Sequence, residues 1–433
     1  MLTTLKMKEC LFPKNFLFGA GGAGHQIEGD NIHSQFNQWE RENRPNFPVH
    51  SGKACNSWEL YDEDIRIMKE LGLQIYRMSV EWSRIEPEQG KHDEKALARY
   101  IDILEKLNSA GIKVSLTLHH WSHPNFFEEL GGFEKRENIH YFTDHLNYLV
   151  PKIKDYVYQW NVLNEFSNNG TNPAAFNLMK NETIAHAMGY HTIKQYSDRP
   201  VSSTHAVIPW RPFRYNDPMD RAAAKVLDWS TNEYMIHAFE TGEMVLPYTE
   251  AEFCPELKGA FDYWALNYYT RHMASGRTKN MTMRRHECDR VSMIDEDMYH
   301  EEFYPDGFIE ELPRYKNKPI FICENGVCCD DDRIRLIYLA RHMMALRDAM
   351  DQGVDLRGYI HWSFLDNYEW GSFKPRFGLV HVDFDTFKRE IKQSGRFFSE
   401  MIKNHGITYA MRDKYLKPLS DITTYELPMK SGS

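Results

Sequence analysis

"DEKALARYIDILEKLNSAGIKVSLTLHH", Asp93 to His120, carries two different periods in one stretch. Its first part repeats apolar residues at the three- and four-residue spacing of one helical face. Gly111 follows as a helix stop. IKVSLTLHH then reads as a short buried strand that ends on two histidines. A helix that halts on glycine and feeds a strand is half of a repeating strand–helix unit.

The same alternation runs along the chain. Strands are predicted in FLFGAGG, QIYRMSV, IKVSLTLHH, VYQWNVLNE, PVSSTHAVIP, FDYWALNYY, PIFICENG and RGYIHWSF. Between them lie amphipathic runs such as SWELYDEDIRIMKELG, RENIHYFTDHLNYLVPKI, NETIAHAMGYHTIKQYS, DRAAAKVLDWSTNEYMIHAF and DDRIRLIYLARHMMALRDAM. FKREIKQSGRFFSEMIKN closes the series as a helix, and a long polar loop, 271–306, follows the sixth strand. Helical crossovers imply parallel strands. Eight units, with no Pro-, Gly- or Ser-rich linker between them, predict a closed (β/α)8 TIM barrel occupying 1–433 as one catalytic domain. An open doubly wound sheet is the alternative; it is disfavoured because no G-x-G-x-x-G follows the first strand.

Composition narrows the function classes. The chain has 433 residues and a net charge of −10, which argues against nucleic acid or an anionic membrane surface as partner. No apolar run is long enough to span a bilayer, and the N-terminus does not read as a signal peptide. Seven scattered cysteines are not a disulfide framework and suggest a reducing, cytoplasmic setting. No set of ligands at metal spacing accompanies the His119–His120 pair, whose members point to opposite strand faces; neither metal nor cofactor is expected.

In a barrel of this kind, chemistry belongs at the C-terminal strand ends. The polar residues fall there: Gln26 after strand one, Arg77 within strand two, and His120 and Trp121 after strand three. Asn164 and Glu165 end strand four, Asn267 and Tyr269 strand six, Glu324 and Asn325 strand seven, and Trp362 strand eight. Two strands thus deliver a glutamate to one mouth. A pair of carboxylates beside rings that stack on a sugar is the requirement for glycoside hydrolysis, one acting as acid and the other facing the anomeric carbon.

These residues resemble glycoside hydrolase family 1. VLNEF resembles its T-x-N-E-P segment and FICENG its I-T-E-N-G segment. GHQIEG, YRMSVEWSRIEP, TLHHWSHP, ALNYYT, and WSFLDNYEW with RFGLVHVD match further segments in the family's order, from about Phe12 to about Phe398. The resemblance implies a retaining β-glucosidase with Glu165 as acid/base and Glu324 as nucleophile, the latter held by Arg77 and Tyr269. It implies that Asn164 binds the sugar 2-hydroxyl and that Gln26, His120, Glu369 and Trp370 bind ring hydroxyls. Trp362 would be the platform under the ring and Phe377 would line the pocket near C6; Trp121 and Asn267 complete the substrate-binding set.

Two departures stand out: Phe166 replaces the family's usual proline and is expected to put a bulky ring on the rim, and Cys323 replaces the usual threonine. Pro375 and Phe377 stand where members acting on 6-phosphorylated sugars have Lys and Tyr, and Glu369 would repel phosphate. An unphosphorylated β-D-glucosyl group is therefore expected as glycone, with galactosyl or fucosyl activity sharing the site. A transglycosylating enzyme and a non-catalytic sugar-binding barrel are the competing readings. Tyr299, His300 or a neighbour in 271–306 is expected at the leaving group; oligomeric state is not legible.

Overall fold

The structure is a computed structural model and describes residues 8–168, 170–283 and 302–419. Eight strands form a closed parallel barrel in chain order. They are β1 Leu17–Gly21, β2 Ile75–Ser79, β3 Lys113–His119, β4 Gln159–Asn164, β5 Val201–Ala206, β6 Trp264–Asn267, β7 Ile320–Glu324 and β8 Leu356–Trp362. The expected barrel is the observed one.

The helices that follow these strands are α1 Ser57–Leu71, α2 Glu94–Ser109, α3 Ile139–Ile153, α4 Pro173–Lys194, α5 Pro218–Asp228, α6 Asp306–Glu311, α7 Asp332–Asp351 and α8 Gln393–Asn404. The α2 helix shows why they form. Asp93 accepts from the amides of Lys95 and Ala96 at 2.9 and 3.1 Å, capping the first turn. Ala96, Leu97, Tyr100, Ile103, Leu104 and Leu107 are its buried face. Gly111, at φ +77°, turns the chain into β3.

Outward residues of the strands, such as Val114, Leu116, Val162 and Leu266, join the main core under the helices. Inside the barrel Ile75, Tyr263, Ala265, Phe321, Cys323 and Ile360 form a separate plug. A Cβ at Gly358 would lie 2.4 Å from the Phe321 ring, so only glycine leaves that ring its place. Beside the plug, Ser115 accepts from Gln159 and Asn161 at 3.0 and 3.1 Å, and the Tyr263 hydroxyl donates to Asn161 at 2.9 Å. These buried polar groups are thus paired.

Three segments differ from the sequence reading. The start of FKREIKQSGRFFSEMIKN is strand, not helix: Arg389–Ile391 pairs antiparallel with Val380–Val382, and α8 begins only at Gln393. Arg389 is drawn inward by the Asp64 carboxylate at 2.9 Å and the Cys55 carbonyl at 2.7 Å, which outweighs helical periodicity there. The loop 271–306 begins with His272–Ala274, a strand parallel to Trp210–Pro212 and antiparallel to Thr282–Met283. Tyr299 and His300 lie outside the described residues. The Phe166 ring is buried against His205 at 5.9 Å and does not occupy the rim, because an apolar ring gains more beneath the helices than in solvent.

Several histidines are buried neutral. Burial pushes His145, His205, His342 and His361 down to about 3 and His186 to about 4. Unfolded histidine titrates at about 6.5, so below that pH the unfolded chain binds more protons and stability falls with pH. His205 is informative because neither ring nitrogen has a partner. His205→Leu is expected to gain on the wild type by about 2 kcal/mol between pH 6.5 and pH 5 in chemical unfolding. A difference that stays constant with pH would contradict this.

Candidate active site

The barrel mouth gathers the residues named from sequence. Glu165 directly follows β4 and Glu324 ends β7. Both strands carry a register shift just before the functional group. On β4, Asn161 pairs with Ser202 and Asn164 with Thr204; on β7, Leu266 pairs with Ile322 but Asn267 with Glu324. Simple alternation from the inward Asn161 and Cys323 would turn Asn164 and Glu324 outward. One extra residue in each strand returns them to the mouth. Glu165 itself has φ +48°, a left-handed conformation shared at the mouth by Trp121 and Trp370, at +63° and +43°. Such conformations cost about 1–3 kcal/mol each and persist where surrounding structure enforces them.

The two carboxylates sit in opposite environments. Glu324 Oε1 accepts from Arg77 Nη1, and Oε2 accepts from the Tyr269 hydroxyl at 2.7 Å. Burial and the Glu324 charge keep the Tyr269 phenol well above its ordinary titration, so it stays a donor. Glu165 receives one amide hydrogen bond, from Asn267 at 2.8 Å. Burial, and then the charge on Glu324, push Glu165 up to about 8. Near neutral pH Glu165 therefore carries a proton.

Asn164 links the halves. Its Oδ1 accepts from Arg77 Nη2 and from Thr204 Oγ1, each at 2.6 Å, and from Asn267 at 3.3 Å. Its Nδ2 lies 3.4 Å from His120 Nε2. Burial and the Arg77 charge hold His120 neutral, well below its usual range. His119, the other member of the pair, packs instead against Phe133 and Phe142.

Across the mouth, Gln26 Nε2 donates to the Glu369 carboxylate at 3.1 Å, to Asn367 Oδ1 at 3.1 Å and to the Tyr368 carbonyl at 2.9 Å. Trp362 Nε1 donates to the other Glu369 oxygen at 3.1 Å. Gln26 Oε1 and Asn267 Oδ1 are buried without a partner, acceptors free for a donor entering the mouth. Trp362 and Trp370 stack with His120 at 5.8 and 6.1 Å, and Trp121 lies 5.0 Å from Trp370. Phe377 packs with Trp362, Ala23 and Cys328, beside Tyr269. The mouth thus has an aromatic wall, unpartnered acceptors and two neighbouring carboxyl groups.

Thr204, Asn367 and Tyr368 belong to this network but were not singled out from sequence. Thr204 lies inside the plain strand run VSSTHA, and nothing in periodicity marks its hydroxyl. Among the described residues no cluster of His, Cys, Asp and Glu could hold a metal ion, and no helix is long and apolar enough to cross a membrane.

Residues 8–407 match the sequence profile of Glycosyl hydrolase family 1. A 1,4-beta-D-glucan glucohydrolase of Thermotoga neapolitana is 29% identical over 448 aligned residues, covering 92% of this chain and 99% of that protein. Beta-glucosidase A of Thermotoga maritima is 28% identical, covering 92% and 98%. Among solved structures, a beta-glycosidase from Pyrococcus horikoshii superposes with a TM-score of 0.84 at 31% identity, covering 94% of this chain and 98% of that one.

Proposed function

The chain belongs to glycosyl hydrolase family 1, a β-glycosidase family, and we propose that it is a retaining β-glucosidase acting through Glu324 as nucleophile and Glu165 as acid/base. The observation that carries this reading is the opposite electrostatic setting of the two carboxylates. Arg77 and Tyr269 both donate to Glu324, while burial and the Glu324 charge push Glu165 up.

A β-glucoside seated on Trp362 exposes its anomeric carbon to Glu324 and its leaving oxygen to Glu165. Glu324 attacks as Glu165 gives its proton to the leaving oxygen, and a glycosyl ester forms on Glu324. Esterification removes the charge that helped to hold Glu165 protonated. Glu165 then becomes a competent base and takes a proton from the water that cleaves the ester. Asn164 Nδ2 meets the 2-hydroxyl, and Gln26 and Glu369 meet the far hydroxyls. The aromatic wall and the Glu369 carboxylate support an unphosphorylated glucosyl group, as do relatives named as glucosidases.

The test is a panel of p-nitrophenyl β-glycosides: glucoside, galactoside, fucoside, xyloside and 6-phosphoglucoside. Fastest release from the glucoside is expected. Release only from another glycone would keep the chemistry and overturn the glycone; release from none by a folded protein would overturn the function.

The Asn267 amide gives a pH prediction. It donates to Glu165 and so favours the ionised form. Asn267→Ala should raise Glu165 further and move the basic limb of kcat/KM up by about 0.5–1 pH unit. A limb that does not move, or moves down, would contradict the assignment.

A further inference from the structure

We propose that Thr204 is a positioning residue: its hydroxyl locks the Asn164 amide so that Nδ2 is presented to the sugar 2-hydroxyl. The inference rests on the reading of Asn164 given above.

The orientation of the amide is set by chemistry. Arg77 has donors only, so the Asn164 atom 2.6 Å from its Nη2 must be the oxygen. Thr204 Oγ1 accepts from Arg77 Nη2 at 3.3 Å and lies 2.6 Å from the same Asn164 oxygen. Its own proton is therefore directed at that oxygen; the Leu163 carbonyl, at 3.5 Å, is the more distant choice. With Oδ1 held by Thr204 and Arg77, Nδ2 is left facing His120 and the mouth.

This lock is placed where the backbone is least regular. Asn164 follows the extra residue of β4, so its side chain is not aimed by simple strand alternation. The run Ser203–Thr204 braces that irregularity. Ser203 Oγ accepts from the Leu163 amide at 3.0 Å, and the Thr204 carbonyl accepts from the Glu165 amide at 2.9 Å. Thr204 is fully buried and register-paired with Asn164, so its hydroxyl has no solvent role. A valine there would keep the carbonyl bond to Glu165 and remove the hydroxyl's bonds to Asn164 and Arg77.

The experiment compares wild type, Thr204→Val, Thr204→Ser and Asn164→Ala on p-nitrophenyl β-glucoside and its 2-deoxy analogue. Thr204→Val is expected to lower kcat/KM on the glucoside about tenfold, the scale of one hydrogen bond, and to change the 2-deoxy substrate less than about twofold. Thr204→Ser should restore the difference. Equal losses on both substrates, or no loss on the glucoside, would overturn the inference. Should the valine variant not fold, Thr204→Ala is read in its place by the same criterion. Asn164→Ala separates the two readings. If it distinguishes the substrates and Thr204→Val does not, the Thr204 role fails and the Asn164 role stands. If Asn164→Ala treats them alike, the Asn164 reading fails, and this inference with it.

Discussion

Glu324→Gln is expected to lower turnover of p-nitrophenyl β-glucoside by a factor on the order of 10^4 or more while leaving the barrel folded. An amide cannot form the glycosyl ester, yet it keeps the size and shape of the carboxylate. The substitution also leaves Arg77 buried beside a neutral group, an arrangement that costs several kcal/mol when nothing compensates. Compensation is at hand. Arg77 still donates to Asn164, and Glu165 loses the negative neighbour that raised it. The Glu165 titration should therefore fall in the variant and supply Arg77 with a new counter-ion. The same fall is required of the glycosylated enzyme, so the variant reports on the second half of the reaction. Carbon-13 titration of labelled glutamates would read it directly; an unmoved Glu165 would break the link between the two steps.

Glu165→Ala is expected to separate substrates by their leaving group. General acid catalysis contributes about 10^2–10^4-fold, and the loss should approach the upper end for an alkyl glucoside such as cellobiose, whose leaving oxygen needs a proton. A 2,4-dinitrophenyl glucoside needs little help in leaving, so its bond should still break rapidly. The glycosyl ester should then accumulate, because no base is left to activate water. Azide needs no deprotonation and can occupy the space vacated by the carboxylate. Added azide should therefore raise turnover of the activated substrate and give the β-glucosyl azide. Uniform loss across leaving groups, with no effect of azide, would remove Glu165 from the acid/base role.

The barrel was readable because its strands are short apolar runs and most of its helices carry a clear apolar face, as VYQWNVLNE and DEKALARYIDILEKLNSAG illustrate. The residues expected at the strand ends do lie together at the mouth, since parallel strands in a closed barrel share one direction. The means by which they are aimed could not be read. The extra residues in β4 and β7 lie within runs that look uniform in sequence, and only pairing with neighbouring strands reveals them. The sequence does not mark Thr204 for the same reason: its partner Asn164 lies 40 positions away. Position beside Glu165 suggests the rim for Phe166, but its apolarity is better satisfied by burial against His205. Arg389 shows the reverse case, a tertiary ion pair with Asp64 turning a helix-like run into strand.

The proposed mechanism carries the sugar covalently on Glu324. The most direct test is to trap it with 2,4-dinitrophenyl 2-deoxy-2-fluoro-β-glucoside: the fluorine slows both formation and release of the ester, and the dinitrophenolate leaving group keeps formation fast. Mass spectrometry of the intact protein should show one fluoroglucosyl group, and peptide sequencing should place it on Glu324 in IFICENG. A label on any other residue would contradict the account, as would an unlabelled protein that still hydrolyses the parent glucoside with inversion.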